Sequence, residues 1–266
     1  NLNKNLKLLQ MYAASYLKTF YATELILQNS QDSTVILYNG RFLHERATAD
    51  CAKNLGIQVL FYELIRNRYQ INNYGYLDTE LNQKAMCQFW KESNETIQKK
   101  RKIGSFYFKE LASKNNRFLT TQTIPKNIKN CKYVVYFTNS DEEYTGYWET
   151  LHGSFDSQIN IVNFLIEYFN KKKPNLTLVI RKHPNLLNQN KLITQKWEKL
   201  KQTENVYVIE PESKISSLGL LKFSQGVITY GSTIGLEAPY YSIPSAVLAK
   251  CWYDKLGCST KIENYR

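Results

Sequence analysis

The sequence is 266 residues long, with 43% hydrophobic and 22% charged residues, which is typical of a globular protein with one or two buried cores. It contains no run of about 18 apolar residues, so no transmembrane helix is predicted. The net charge of +12 favours anionic partners, which include nucleic acid, acidic lipid surfaces and phosphorylated substrates.

The first half of the sequence predicts a β–α–β unit. Strand 34–38, helix 41–54 and strand 58–63 follow one another, with glycines in the turns between them. Two strands joined by a helix pair in parallel, so we expect a parallel sheet. The other elements predicted in this half are helix 5–28, a polar loop at 66–77, two helices within 78–115 and a linker loop at 116–129.

The second half alternates strands with helices. The predicted order is strand 132–137, helix 157–172, strand 176–180, helix 189–202, strand 206–209, helix 213–223, strand 226–230, helix 232–240 and strand 245–248. This alternation is typical of a doubly wound α/β domain. We therefore predict two Rossmann-like domains, residues 1–125 and 126–266, that face each other across a ligand-binding cleft. The start without Met is consistent with a trimmed N-terminal domain that lacks its first strand.

The segment 227–238 carries the most informative motif of the chain. Its sequence, V-I-T-Y-G-S-T-I-G-L-E-A, predicts a buried strand, a turn at Gly231 and the first turn of a helix. Such a turn directs backbone N–H groups and the positive end of the helix dipole at one point, which suits a phosphate. Ser232 and Thr233 add hydroxyl donors, and Glu237, one helical turn later, could accept ribose hydroxyls. The alternative is an ordinary strand-to-helix turn that is capped by Ser232.

A second polar motif, R-K-H-P-N at 181–185, follows strand 176–180. The carboxyl ends of parallel strands are where α/β sheets bind ligands. Pro184 ends the strand and fixes the turn, so the His183 imidazole can donate to a phosphate or to a leaving oxygen. The alternative is a lone histidine on the surface.

Polar residues follow other predicted strands as well. These segments are Thr138-Asn139-Ser140-Asp141-Glu142-Glu143, Glu63, and Asn39-Gly40-Arg41. A sugar transfer needs a stabilised leaving phosphate and a carboxylate near the anomeric carbon. His183, Ser232 and Thr233 suit the first need. The acids that suit the second are Glu63, Asp141, Glu142 and Glu143. The alternatives are that the acidic run forms the first turn of a helix and that Arg41 pairs with one of the acids as a structural bridge.

Several functional motifs are absent from the sequence. It has no D-x-D motif that would hold Mg²⁺ on a nucleotide diphosphate, no P-loop, no G-x-G-x-x-G after the first strands and no G-x-S-x-G elbow. These absences disfavour kinases, dehydrogenases and α/β-hydrolases. The five cysteines are dispersed and form no C-x-x-C pair, which favours reduced thiols in a cytoplasm over a disulfide framework or a zinc site.

Two clusters of basic residues stand out. Lys99-Lys100-Arg101-Lys102 and Lys171-Lys172-Lys173 could lie against an acidic membrane surface, or they could be solvated ends of helices. The sequence leaves this choice open.

Taken together, the strand-end motifs resemble those of bacterial capsule and surface-polysaccharide glycosyltransferases with the GT-B fold. The motifs are Tyr38-Asn39-Gly40-Arg41, Tyr62-Glu63, 137–142, 181–185 and 229–238. The group that the chain most resembles is the retaining β-Kdo transferases, and bacterial sialyltransferases are more distantly similar. The resemblance spans about residues 34–255, and its last motif is the most specific.

The resemblance implies a CMP-activated donor sugar, Kdo or a related ulosonic acid, with no cofactor. His183 would contact the CMP phosphate, and Glu237 would hold the ribose. An aspartate and a glutamate act as nucleophile and acid/base in proposals for the Kdo group, and the matching positions are Asp141 and Glu63. Because CMP is a monophosphate leaving group, the missing metal motif agrees with this donor. The donor-binding set is Arg41, Asn39, Ser140, Arg181, Lys182, Ser232, Thr233, Gly231 and Glu237.

Two departures from the related families matter. Sialyltransferases carry an acidic pair followed by Gly, which the segment 141–144 lacks. GT-B enzymes often return a C-terminal helix to the first domain, whereas this chain stops soon after Asp254. A truncated chain, or one module of a larger capsule protein, would explain both ends.

The partners implied are a nucleotide-sugar donor and an anionic glycan or lipid-linked acceptor. We expect a cytoplasmic protein at the inner face of the bacterial inner membrane, with peripheral membrane contact and no nucleic-acid partner. Three alternatives remain open: a UDP-sugar transferase or epimerase of the same fold, a basic nucleic-acid-binding α/β protein, and a non-catalytic GT-B module that scaffolds a larger polymerase.

Overall fold

The computed structural model describes residues 2–30, 32–65, 68–73, 79–113, 124–140, 155, 157–173, 175–189, 191–200 and 202–264. The chain separates into two compact units, Asn1–Phe89 and Trp90–Arg266. One helix, Thr79–Glu92, contains the point of division. The predicted boundary between residues 125 and 126 lies further along the chain and stays a prediction.

The N-terminal unit combines a small sheet with packed helices. Its elements are α1 (Leu2–Leu27), β1 (Thr34–Tyr38), α2 (Leu43–Asn54), β2 (Gln58–Ile65), β3 (Arg68–Asn72) and the start of α3 (Thr79–Glu92). The strand order is β1-β2-β3, with β1 and β2 parallel, as predicted, and β2 and β3 antiparallel. Small side chains of α2, among them Ala49 and Ala52, pack with Phe61 in the core. Helix α1 packs on α2, where the Tyr16 hydroxyl donates to Asp50 at 2.7 Å.

Strand β3 corrects the sequence prediction, which places a polar loop at 66–77. Its apolar side chains, Tyr69 and Ile71, are 69% and 59% exposed. Asparagines on either side of the segment favour a turn, so neither burial nor composition indicates a strand. The strand forms because β2 offers an antiparallel partner, with Tyr62 opposite Ile71.

The C-terminal unit is a six-stranded, wholly parallel sheet with helical connections. Its strands are β4 (Tyr133–Phe137), β5 (Thr177–Arg181), β6 (Val206–Ile209), β7 (Gly226–Thr229), β8 (Ser245–Val247) and β9 (Thr260–Lys261). Its helices are α4 (Ile97–Ser113), α5 (Lys126–Lys129), α6 (Gln158–Lys172), a 3-10 helix (Pro184–Asn188), α7 (Lys191–Glu198), α8 (Ser217–Phe223) and α9 (Ile234–Tyr240). The strand order is β6-β5-β4-β7-β8-β9.

Strand β4 lies inside the sheet and supplies side chains to two separate cores. Tyr133, Val135 and Phe137 enter one apolar cluster, and Tyr136, on the opposite face, enters the other. Side chains alternate between faces along a strand, so a strand covered on both faces is apolar at nearly every position. The run Y-V-V-Y-F therefore predicts an interior strand, and the structure confirms it.

The α/β fold class predicted from the sequence is confirmed. Three short elements of the C-terminal unit are missing from the prediction, namely α5, the 3-10 helix and β9. Each spans two to five residues, which is too short for hydrophobic periodicity to show. In the described part of the chain, no helix is both long and apolar enough to cross a membrane.

We predict that Leu178→Ala in β5 destabilises the C-terminal unit by about 2–5 kcal/mol, because it leaves a cavity in the core. Leu178 is completely buried in the same cluster as Trp197. All four tryptophans lie at or after residue 90, so tryptophan fluorescence during urea unfolding measures this unit. The matched control is Leu187→Ala, at a side chain that is 52% exposed. An equal loss of unfolding free energy in the two variants would contradict the burial of Leu178 in this core.

Candidate functional site

The candidate site lies at the carboxyl edge of three neighbouring strands in the C-terminal unit. Phe137 of β4 pairs with Arg181 of β5 on one side and with Thr229 of β7 on the other. Neighbouring strands lie about 4.8 Å apart, so the three chains leave the sheet side by side. The residues two positions beyond this level are Asn139, His183 and Gly231. Their loops therefore share one edge of the sheet.

Thr138 joins the loop after β4 to the loop after β5. Its hydroxyl accepts the His183 N–H at 2.8 Å, and its own N–H donates to the Arg181 carbonyl at 3.1 Å. The His183 ring Nδ1 accepts the N–H of Asn185 at 3.2 Å and caps the 3-10 helix that begins at Pro184. This bond places the proton of the neutral imidazole on Nε2, which makes Nε2–H the donor toward a ligand.

Arg181 and Lys182 bind the loop that follows β6. The Arg181 guanidinium donates to the carbonyls of Glu210 and Ser213, and the Lys182 ammonium lies 2.9 Å from the Glu210 carboxylate. Both cations are at least 95% buried, and desolvation lowers the pKa of Arg181. Their contacts fix the shape of the site edge. The donor-binding role that the sequence assigns to them stays a prediction.

Two glutamines hold the loop after β4. The Asn139 N–H donates to Gln158 Oε1 at 2.9 Å, and Gln158 Nε2 donates back to the Asn139 carbonyl at 3.3 Å. Gln189 donates to the hydroxyl of Ser140, which is itself buried. The predicted nucleophile Asp141, together with the two glutamates after it, lies outside the described residues.

The turn after β7 is held by Thr229. Its hydroxyl accepts the N–H groups of Gly231 and Ser232 at 3.3 and 3.0 Å. These two amides are thus occupied within the turn, as the alternative of an ordinary strand-to-helix turn allows. Helix α9 is preceded by Thr233, whose side chain makes no capping bond. The phosphate-binding role that the sequence assigns to Gly231, Ser232 and Thr233 stays a prediction.

Gly235 and Tyr253 also hold the turn after β7 in place. The Tyr253 hydroxyl donates to the Ser232 carbonyl. A Cβ atom at Gly235 would lie 2.5 Å from that hydroxyl and 2.6 Å from the Thr229 methyl group. Only glycine allows this approach, so the second glycine of the motif is required by packing.

Glu237, in the first turn of α9, is partly buried. Desolvation raises its pKa to about 7. When this partly buried carboxyl group is ionised, it needs hydrogen-bond donors in place of the water it has lost, and the two hydroxyls of a ribose can supply them. The predicted ribose-binding role is compatible with this environment.

A second group of predicted residues lies at the carboxyl edge of β1 and β2 in the N-terminal unit. Asn39 Nδ2 donates to Glu63 Oε2 at 2.6 Å, and the Tyr38 hydroxyl donates to Glu63 Oε1 at 3.2 Å. Asn39 has a left-handed backbone with φ of 56°, which asparagine tolerates better than most residues. Arg41 is exposed, with its guanidinium carbon 5.2 Å from the centre of the Phe42 ring.

The structure thus gives two groups of the predicted residues. His183, Ser140, Gly231, Ser232, Thr233 and Glu237 belong to the C-terminal unit, whereas Asn39, Arg41 and Glu63 belong to the N-terminal unit. Sequence reasoning did not assign the residues that hold these side chains in place. They are Thr138, which links two loops by hydrogen bonds, and Gln158, Gln189, Glu210 and Tyr253. Only Thr138, directly after a buried strand, carries a local signal, because the other four act across long sequence separations.

Comparison with known proteins places this chain in a family. A family model described as capsule polysaccharide biosynthesis protein matches residues 45–265. The chain therefore belongs to the capsule polysaccharide biosynthesis family, which confirms the resemblance found in its motifs. Among proteins with curated functions, none matches the chain significantly.

Solved structures with the same fold include two from Thermosulfurimonas dismutans. The KpsC β-Kdo 2,4 transferase matches with a TM-score of 0.54 and 13% identity, over 85% of this chain and 72% of the other. The KpsC β-Kdo 2,7 transferase matches with a TM-score of 0.53 and 12% identity, over 94% and 80%. A UDP-GlcNAc 2-epimerase from Methanocaldococcus jannaschii gives a TM-score of 0.43 at 18% identity, over 94% and 70%. At such low identity, the two matches with TM-scores above 0.5 establish the Rossmann-like GT-B fold alone.

The raised pKa of Glu237 predicts a pH-dependent stability. The carboxyl ionises near pH 4.5 in the unfolded chain but near pH 7 in the folded one, so stability falls as pH rises between these values. Glu237→Gln removes this loss and stabilises the protein by about 3 kcal/mol at pH 8 relative to the parent. Urea unfolding from pH 4 to 8 measures the difference. A constant difference across that range, or the same profile for the exposed control Glu198→Gln, would contradict the assignment.

Proposed function

We propose that this chain is a glycosyltransferase that moves Kdo or a related ulosonic acid from a CMP-activated donor to a growing bacterial surface polysaccharide or glycolipid. It would act at the cytoplasmic face of the inner membrane. The observation that carries the proposal is the shared edge of β5, β4 and β7, where the pairing of the strands brings the loops that carry His183, Ser232 and Thr233 side by side. Membership of the capsule polysaccharide family supports it.

Stabilisation of the leaving group is the first task of the proposed site. When the bond from CMP to the sugar breaks, negative charge develops on the CMP phosphate. Donors that are already oriented stabilise such charge without reorganisation. Two hydrogen bonds orient His183: its ring Nδ1 accepts the N–H of Asn185, and its backbone N–H donates to the Thr138 hydroxyl. Ser232 is held by the bonds of its backbone to Thr229 and Tyr253. These supports allow donation to the phosphate with little loss of side-chain entropy.

Retention of configuration requires two displacements. In the first, a carboxylate attacks the anomeric carbon and CMP departs, and in the second the acceptor hydroxyl displaces that carboxylate. We assign the nucleophile to Asp141 and the acid/base to Glu63, which would take the proton of the acceptor hydroxyl. Bonds from Asn39 and Tyr38 fix the Glu63 carboxylate. Arg41 would bind the carboxylate of the donor sugar.

No cofactor enters the proposal, and no metal is assigned a step, because CMP leaves with a single phosphate. Other donor nucleotides and a non-catalytic module are the competing functions. They predict different ligand binding and different activity, so two experiments separate them.

Nucleotide binding is tested by thermal unfolding with CMP, UDP, GDP and ADP in parallel. We expect CMP alone to raise the Tm, by about 5 °C at 100 times its Kd, because a ligand stabilises the state it binds. His183→Ala should weaken CMP binding about tenfold, which is the scale of one hydrogen bond to a charged group. The matched control is His44→Ala, a histidine of the N-terminal unit that contacts Thr19.

A Tm shift with UDP instead of CMP would replace the proposed donor while leaving the fold unchanged. No shift with any nucleotide would contradict the transferase proposal and favour a non-catalytic module. A loss of the CMP effect in His44→Ala would show that the assignment of the phosphate contact to His183 is wrong.

Transfer from CMP-Kdo to an anionic glycan acceptor tests the catalytic residues. Asp141→Asn and Glu63→Gln should each lower the rate by at least about 100-fold, since nucleophile and acid/base act on the reacting atoms. Glu142→Gln and Glu143→Gln are the matched controls, and we expect them to keep most activity. If Asp141→Asn kept full activity, the nucleophile would be misassigned. Loss of activity in EDTA would contradict metal independence.

A further inference from the structure

Helix α4 (Ile97–Ser113) is unusually basic. Its sequence, I-Q-K-K-R-K-I-G-S-F-Y-F-K-E-L-A-S, carries five Lys and Arg residues and a single acid, Glu110. The chain as a whole carries +12, so this helix concentrates an excess that is already large. It is the first of the two basic clusters whose meaning the sequence leaves open.

One side of α4 is attached to the C-terminal unit. The ring of Phe108 stacks on Tyr240 of α9, with centroids 4.3 Å apart and an angle of 18° between the planes. This contact fixes which side of the helix faces the protein.

The opposite side of α4 is exposed and mixes apolar with basic side chains. Ile103 and Phe106 are 59% and 66% exposed. Helical spacing puts them about 140–160° around the axis from Phe108. Lys99 and Lys102 lie four residues before Ile103 and Phe106 respectively, so each apolar side chain has a lysine one turn away. We call Lys99, Lys102, Ile103 and Phe106 the outer face of α4.

The end of α3, which precedes α4 in the chain, adds an exposed aromatic ring. The Trp90 side chain is 52% exposed, and the Lys100 ammonium lies 4.5 Å from the centre of its ring. The same ammonium donates to the carbonyls of Trp90 and Ser93 at 2.7 and 3.2 Å. Lys100 therefore fixes Trp90 beside the start of the helix.

We infer that the outer face of α4, together with Trp90, binds the surface of an anionic lipid bilayer. Lys and Arg next to a bilayer gain attraction from acidic headgroups, while exposed Phe, Ile and Trp insert at the boundary of the acyl chains. Tryptophan is the side chain most typical of that boundary. The inference is independent of the catalytic assignment, because it rests on α4 and Trp90 and its readout is binding.

Charge alone would equally suit a nucleic acid, so the apolar residues decide between the two. Phosphate contacts need Lys and Arg only, and they give no reason for Ile103 and Phe106 to remain in water. Exposed side chains of this size each leave apolar area unburied, which a bilayer interface covers. The combination on one helix face therefore favours a bilayer.

The test is sedimentation of the full chain with vesicles of phosphatidylcholine alone and of phosphatidylcholine with 30% phosphatidylglycerol. We expect binding to the acidic vesicles only. Lys99→Gln with Lys102→Gln, which removes both cations of the outer face, should reduce the partition coefficient about tenfold, since each cation near the surface contributes about a factor of five at most. Phe106→Ser should lower it several-fold and leave more salt-sensitive binding.

Matched controls remove the same groups elsewhere. Lys171→Gln with Lys172→Gln removes two charges from the end of α6, and Phe223→Ser removes a phenylalanine that is 59% exposed on α8. We expect both to bind acidic vesicles as the parent does. All variants change exposed positions, and an unchanged Tm confirms that they fold.

Three outcomes would overturn the inference. The first is no binding to acidic vesicles at 0.1 M salt. The second is an equal loss of binding in the control variants, which would show a general charge effect. The third is tight binding to duplex DNA that the Lys99 and Lys102 substitutions abolish while vesicle binding persists, which would assign α4 to nucleic acid.

Discussion

The parallel pairing of β4 with β5 on one side and β7 on the other is the constraint on which the candidate site depends. It places Phe137, Arg181 and Thr229 side by side in the sheet. The polar residues of the site lie in the loops that follow these three residues. A shift of one residue in either pairing would turn the side chains of a strand to the opposite face. Close packing opposes this shift, because Tyr133, Val135 and Phe137 fill one cluster and Tyr136 fills the other, and side chains of different size would have to exchange places. The hydrophobic core thus determines which polar loops meet.

The loops at this edge are stiffened by polar side chains that are mostly buried. Arg181 and Lys182 illustrate the energetics, since a buried cation costs several kcal/mol unless it is paired. Backbone carbonyls after β6 and the Glu210 carboxylate supply the partners. Thr138 and Thr229 then use single hydroxyls to bind backbone amides of the neighbouring turns. The loops at this edge are therefore held in set positions before any ligand binds, which lowers the entropy cost of binding one.

The two surfaces of the C-terminal unit that we propose to be functional differ in their physical basis. The sheet edge relies on buried, fixed hydrogen bonds, whereas α4 relies on exposed charge and apolar area. Both involve α9: its first turn carries Glu237, and Tyr240 at its end stacks on Phe108 of α4. Lipid-linked acceptors lie at a membrane surface, so a transferase that binds the bilayer would remain near its acceptor. The Glu63 group in the N-terminal unit is organised by a third means, a left-handed asparagine directly after a strand.

The sequence by itself determined the α/β class, most strands of the parallel sheets and the strand ends that carry His183 and the segment 227–238. Runs of alternating or continuous apolar residues encode burial directly, so these elements are local properties of the chain. Strand β3 could not be foreseen, because its formation depends on pairing with β2 and not on its own burial. Likewise only the tertiary structure decided that Gly235 makes room for Tyr253, whose hydroxyl donates to the Ser232 carbonyl. This contact joins residues that are 21 positions apart in the sequence, so no single stretch of sequence specifies it.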